Sequence, residues 1–155
     1  MLGNPRELIE RNVFATVQAM TIASGYSLPM DIETYDRQIK TFDQYSTFPV
    51  LQMQAEVYEP QVQTSGFYTA ELPIRLNVLF QAGSDEIAAA AANYYTMNIE
   101  RALMQDRRRG GYADTTTIMA PGTVSALLEG APLYATQVRV MVLYEYDVLA
   151  PVLVA

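Results

Sequence analysis

Alternation of apolar and polar residues predicts two long β-strands in this chain. The segment from Tyr68 to Phe80 alternates with a period of two over residues 72–80, which is typical of a half-buried strand. The segment from Tyr134 to Val148 also alternates, but both of its faces carry apolar residues toward its middle. A central strand, covered by helices on one side and by a neighbour on the other, has this pattern. A further strand is predicted from Phe48 to Tyr58.

Proline and glycine residues mark where this pattern is interrupted. Pro73 lies within the strand that ends at Phe80, and because proline has no N–H to donate to a ladder, it predicts an edge position or a bulge there. Ala120-Pro121-Gly122 is a turn-forming group. The segments on either side of it, Tyr112 to Met119 and Thr123 to Glu129, are therefore predicted to form a hairpin.

Helical spacing of apolar residues follows Asn4-Pro5, a pair typical of a helix N-cap and first turn. The first helix is predicted from Pro5 to about Ala23, with Gly25 ending it. Its apolar positions are Leu8, Ile9, Val13, Val17 and Met20.

A second helix is predicted to begin after the N-cap Ser84 and to end in Arg107, Arg108 and Arg109, before Gly110-Gly111. Cations are favoured at that end by the helix dipole. A stripe of mostly small residues is predicted to lie on the sheet, consisting of Ile87, Ala91, Tyr94, Met97 or Asn98, and Ala102.

The segment from Tyr26 to Ser46 has no sustained period and is predicted to be a loop with short irregular strands. It is long for a connection, and long ordered loops are often functional. We expect either a contact surface or a packed surface loop.

Length and charge narrow the class of protein. At 155 residues the chain has the usual size of one domain, so we expect residues 1–155 to form a single domain. The formal charge of −7 argues against a protein that grips nucleic acid through many phosphate contacts. The first residues do not resemble a secretory signal, and no run reaches the ~20 apolar residues of a membrane span. We expect a protein of the cytoplasm, or of a particle assembled there.

Few residues suited to catalysis are present. The sequence has no histidine and no cysteine, which removes thiol nucleophiles, histidine bases and most zinc sites. Asp31, Glu33 and Asp36 form the closest acidic group, either a site for a hard cation or a solvated loop. No glycine-rich phosphate loop occurs. We expect no enzymatic activity, no cofactor and no bound metal.

Residues typical of protein interfaces are abundant, with eleven tyrosines and eight methionines. The arginine triplet is predicted to contact another subunit or an acidic partner, or to bind a phosphate, or else to be a helix end matched to the dipole. The apolar residues 148–155 are expected to pack on the domain or on a neighbour. The predicted contact residues are Arg107, Arg108, Arg109 and Tyr112, with Tyr26, Tyr35 and Tyr45 as a second patch.

The order of these elements resembles a known family. A helix and an irregular segment precede a strand that opens with Phe48-Pro49 and ends in Glu56-Val57-Tyr58, followed by the alternating strand from Ile74 to Phe80. The capped helix, the Gly-Gly exit, the threonine-rich hairpin and a strand ending in Tyr144-Glu145-Tyr146-Asp147 come next. Over nearly the whole chain, this order is similar to that of the tail terminator, or tail-completion, proteins of long-tailed bacteriophages.

The resemblance implies an α+β fold with a mixed or antiparallel sheet and two helices on one face. It also implies a homo-oligomeric six-fold ring in the virion, at the junction of tail and neck. Such a ring caps the tail tube, ends its polymerisation, and offers a surface to the neck or head-tail connector protein. DNA would pass through the lumen without specific binding. Residues 26–46 and the hairpin are longer than the compact family core, which leaves open whether they contact the tube, the sheath or the neck.

Three alternatives stay open. The first keeps the class and makes the chain another ring protein, such as a head-tail stopper, a tube subunit or a baseplate ring. The second is a small carboxylate enzyme or metal-dependent hydrolase. The third is a ligand-binding regulatory module.

Overall fold

Seven strands, counted over the residues that the structure describes, form one mixed sheet. The structure is a computed structural model and describes residues 4–56, 61–62, 67–120, 124–126 and 132–147. In chain order the strands are β1 (Thr34–Asp36), β2 (Val50–Ala55), β3 (Gln61–Val62), β4 (Phe67–Gln81), β5 (Thr115–Ala120), β6 (Val124–Ala126) and β7 (Leu133–Asp147). Across the sheet the order is β1-β2-β4-β7-β5, with β3 also paired to β4 and β6 also paired to β7. β1 runs parallel to β2, and the other pairs are antiparallel.

Two helices, α1 (Pro5–Gln18) and α2 (Asp85–Met104), cover one face of this sheet. Alternate residues of β4 and β7 point toward them, and their side chains share one core with both helices. Each large aliphatic side chain buried there contributes about 1.5–3 kcal/mol of transfer free energy. The α+β fold class is therefore confirmed. The core residues on the two long strands are Ala70, Leu72, Ile74, Leu76, Val78, Phe80, Tyr134, Val138, Val140, Val142 and Tyr144.

The three long predicted strands are β2, β4 and β7. β7 lies between β4 and β5, so its predicted central position is confirmed. β2 is shorter than predicted, since it covers Val50–Ala55. Residues 57 and 58, at the end of the predicted strand, lie outside the described residues, as does the apolar C-terminal segment 148–155.

Pro73 lies in the interior of the sheet, so the predicted edge position is wrong. Its pairing with Met141 continues the β4–β7 register without a bulge. The carbonyl oxygen of Pro73 accepts a hydrogen bond of 2.8 Å from the N–H of Glu56, just beyond the last β2–β4 pair, Ala55 with Ile74. The two backbone groups of a strand residue point to the same side, so the missing N–H faces the end of β2 and breaks no bond to β7.

The predicted hairpin is also wrong. In the described residues, β5 and β6 both pair with β7, at Ile118 with Val140 and at Val124 with Thr136. They follow one another along one edge of β7, and a register shift separates Ile118 from Ala120. The long β7 strand offers enough edge for both.

α1 has its predicted N-cap but ends earlier than predicted, at Gln18. The Asn4 side chain accepts the N–H of Glu7 at 3.3 Å. At the other end, the Ser24 hydroxyl donates to the carbonyl of Ala19 and accepts from the N–H of Thr21. Serine side chains compete in this way for the backbone groups of a helix, and here a turn replaces the last predicted turn of helix.

α2 has the predicted cap, since the Ser84 hydroxyl accepts the N–H of Ile87 at 3.2 Å. The predicted stripe is wrong at Ile87 and Tyr94, which are half exposed, and of its alternative positions Met97 and Asn98 it is Asn98 that is buried. The face that packs on the sheet is rotated from the predicted one, although it includes Asn98 and Ala102. Its buried residues are Ala88, Ala92, Tyr95, Thr96, Asn98, Ile99, Ala102 and Leu103.

Candidate functional site

The predicted arginine triplet does not belong to α2. The helix ends at Met104, and the triplet lies in a turn that continues into a short 3-10 turn, Arg109–Gly111. The Asp106 carboxylate accepts hydrogen bonds from the N–H groups of Arg108 and Gly110, at 3.1 and 2.6 Å. Such Asp side chains favour a turn over continued helix. Gly110 and Gly111 have φ values of 70° and 93°, which glycine adopts without steric cost.

The three arginines have different environments. Arg107 and Arg108 are exposed, as expected, and Tyr112 is 37% exposed. The predicted exposure of Arg109 is wrong, because its side chain is fully buried and donates to the carbonyl oxygens of Leu103 and Asp106. Burial lowers the pKa of this guanidinium, while the charge of Asp106 opposes the shift. Arg109 thus serves the end of α2, and the contact role of the other three residues stays a prediction.

The tyrosines of the second predicted patch are half-buried and have separate internal partners. The Arg101 guanidinium lies 4.9 Å from the centre of the Tyr26 ring. The Tyr35 ring packs edge-to-face on Phe14, with ring centres 6.4 Å apart. The Tyr45 hydroxyl donates to Asp36 and accepts from the Gln52 amide, both at 3.0 Å. Their part in contacts with other proteins stays a prediction.

Two residues of the predicted acidic group, Asp31 and Asp36, have partners within the chain. The Asp31 carboxylate accepts the N–H of Ile22 at 2.7 Å, and Asp36 pairs with Lys40 at 3.0 Å. Within the described ranges, no group of three or more acidic residues is arranged to hold a metal ion.

An exposed apolar flank of α2 is the surface that the sequence pattern did not predict. Ile87 is 58% exposed, and Tyr94 and Met97 are each 50% exposed. At 100° per residue, these positions lie on one side of the helix with Ala90. The neighbouring flank is more polar and carries Glu86, Asn93 and Glu100, together with Ala89.

The loop beside α2 extends this apolar surface. Between α2 and residues 27–29 lies an open groove of about 390 Å³, whose lining includes Leu28, Pro29 and Tyr94. A smaller cavity of about 160 Å³ adjoins Ile87 and is lined in part by Met30, which is 55% exposed. We call this surface the α2 patch, defined by Met30, Ile87, Ala90, Tyr94 and Met97.

Asn98 fixes the loop against α2. Its amide oxygen accepts the N–H of Ser27 at 3.1 Å, and its amide nitrogen donates to the carbonyl of Ser27 at 3.2 Å. The same nitrogen also donates to the carbonyl of Tyr94 at 2.7 Å. Because the Asn98 side chain is buried, these bonds set the position of the groove wall.

The apolar residues of the α2 patch were visible in the sequence, but the pattern assigned Ile87 and Tyr94, with either Met97 or Asn98, to the face on the sheet. The residues between them are mostly alanines, which fit either a buried or an exposed position. A rotated stripe therefore matched the sequence almost equally well.

Comparison with known proteins does not assign this fold to a family: no family model matches the chain, and a search of curated proteins finds no match either. Among the helices in the described residues, none has the length and apolar character that a membrane span requires.

Proposed function

We propose that this protein is a structural virion protein of a long-tailed bacteriophage. In this proposal, copies of the chain form a ring on the end of the tail tube, stop its growth and join the tail to the neck. The α2 patch is the observation that carries the proposal, and the order of the two helices and the long strands along the chain supports it.

The α2 patch is costly to leave in water. Apolar surface contributes about 25 cal/mol per Å² when it is removed from water, and three large side chains of this patch, those of Ile87, Tyr94 and Met97, lie on one flank of α2. Contiguous exposed apolar surface, particularly of tyrosine and methionine, is typical of protein interfaces. We infer that the α2 patch is covered by protein in the assembled state.

A ring needs two different surfaces on each copy, because each subunit contacts its neighbours head to tail. The α2 patch provides one surface. Arg107, Arg108 and Tyr112 lie beyond the C-terminal end of the same helix, and a helix of 20 residues is about 30 Å long. Their separation from the N-terminal part of the α2 patch suits a second contact, with the next copy or with a tube or neck protein.

Termination in this proposal requires no covalent step. One face of the ring complements the last ring of the tube, and the other lacks the surface that a further tube subunit needs. Six copies at −7 each give a formal charge of 6 × −7 = −42. An acidic lumen lets DNA pass without adhering, because the phosphates are repelled.

The direct test adds the purified protein to polymerising tube protein from the same phage and measures tube length and end structure by electron microscopy. We expect shorter tubes that carry an extra ring at one end. The double variant Tyr94→Asp/Met97→Asp should lose this effect, because it places two charges on the apolar flank. The matched control, Ala89→Asp/Asn93→Asp, adds the same charge to the polar flank of α2 and should retain it.

Two outcomes contradict the proposal: tubes of unchanged length with no ring at their ends, or a patch variant that remains as active as wild type. A ring at the neck or baseplate, without an effect on tube length, would favour the alternative of another virion ring protein.

A further inference from the structure

Two arginines face each other on the side of the sheet away from the helices. Arg75 of β4 and Arg139 of β7 are directly paired in the β-ladder, and their side chains are 37% and 36% exposed. Like charges at directly opposite positions of two strands destabilise a sheet. Their placement therefore requires compensating negative charge.

One carboxylate supplies part of that compensation. Glu56, just after β2, accepts from Arg75 at 3.3 Å and from Arg139 at 3.0 and 3.1 Å. Among the described residues it is the only carboxylate that pairs with either arginine. The cluster of Arg75, Arg139 and Glu56 thus has a net charge of +1, in a chain whose formal charge is −7.

The hydrogen-bonding capacity of the two guanidinium groups is only partly used. Each has five N–H donors, and the Nε atoms of both are buried without a partner. Unpaired donors beside a partly exposed charge favour an additional acceptor that carries negative charge.

We propose that Arg75 and Arg139 form a binding site for a second carboxylate, supplied by an acidic segment of a partner protein. A guanidinium group can hold a carboxylate through two parallel N–H···O bonds, and one added carboxylate would neutralise the cluster. Nucleic acid is a poorer fit, because binding to a phosphate backbone depends on many basic residues, and this site supplies two arginines. This inference does not depend on the phage function proposed above.

The test titrates the full chain with a tetraglutamate peptide and follows the arginine Nε–H signals by NMR. We expect saturable shifts of the Arg75 and Arg139 signals. Glu56→Gln removes the competing carboxylate and should tighten peptide binding about fivefold or more. Arg75→Gln and Arg139→Gln should each weaken it at least about tenfold. The matched control, Arg11→Gln, removes the same charge from an exposed arginine on α1 and should bind like wild type.

The Glu56→Gln variant distinguishes a binding site from a purely internal ion pair. Only a binding site gains affinity for the peptide when the competing carboxylate is removed, and a misfolded protein would not gain affinity. If an Arg→Gln variant does not fold, Arg139→Lys keeps the charge and should still bind several-fold more weakly. Unchanged or weaker binding by Glu56→Gln would overturn the proposal. So would peptide shifts no larger than those produced by inorganic phosphate at equal charge, which would show only nonspecific attraction of anions.

Discussion

At the scale of single residues, Asn98 is the buried polar side chain on which the candidate surface depends. It holds both backbone groups of Ser27 and so fixes the loop that forms one wall of the groove. The loss of these bonds would leave the Ser27 N–H and carbonyl without their present partner in a partly buried position. Unpaired buried polar groups cost about 1–3 kcal/mol each.

We therefore expect Asn98→Ala to lower the free energy of unfolding by about 2–4 kcal/mol, measured by urea denaturation. Asn93→Ala is the matched control, since Asn93 is exposed on the same helix, and it should change stability by less than about 0.5 kcal/mol. A loss for Asn98→Ala no larger than that of the control would show that the Ser27 bonds contribute little.

Arg109 shows at the same scale what a sequence pattern cannot resolve. Three consecutive residues are all arginines with the same predicted role at the helix dipole. Arg109 is nevertheless buried, whereas Arg107 and Arg108 are exposed. The difference arises from the turn, where Asp106 binds two backbone N–H groups and Arg109 has a φ of 50°. That backbone conformation depends on contacts across several residues.

At the scale of elements, residues 26–46 are attached to α1 by charge pairs. Arg37 binds Glu7 at 3.0 Å and Glu10 at 3.4 Å. The hydrogen bond from Arg37 is the main cause that lowers the pKa of Glu7 below its usual value of 4.5, with burial opposing it and Arg11 adding to it. The long segment thus has a defined position on α1 despite its lack of sequence period.

This pairing predicts a pH dependence of stability. Because the pKa of Glu7 is lower in the folded state, the pair stabilises the fold fully above the unfolded pKa of about 4.5 and loses its effect as pH falls through the lower folded value. The difference in melting temperature between wild type and Arg37→Gln should be constant from pH 7 to pH 5 and should shrink below pH 4.5. Arg107→Gln, which removes an exposed arginine outside the described ion pairs, should show no such change. A difference that stays constant down to pH 3 would contradict this account.

At the scale of the whole molecule, two properties oppose each other. The α2 patch favours association, while a formal charge of −7 on every copy disfavours it. Added salt screens the repulsion, since the Debye length falls from about 30 Å at 0.01 M to about 8 Å at 0.15 M. Apolar contacts are not weakened by that screening.

We therefore expect self-association of the purified protein to strengthen between 20 and 500 mM NaCl, measured by sedimentation velocity. The variant Tyr94→Asp/Met97→Asp should stay monomeric at both salt concentrations. Association that weakens as salt increases would show that charge pairs, rather than the α2 patch, hold the copies together.

The sequence by itself determined the long strands and both helix N-caps, because these depend on local chemistry and on a period of two along the chain. It also determined the scarcity of residues suited to catalysis and the acidic charge. Only the tertiary structure decided which flank of α2 is buried, how Pro73 fits into a central strand, and that β5 and β6 share β7. Each of these depends on neighbours distant in sequence: the Tyr95 ring packs on Phe80, β2 ends beside Pro73, and β7 extends far enough for two partners. The α2 patch follows from the first of these decisions, since the buried face of α2 leaves Ile87, Tyr94 and Met97 on its exposed side.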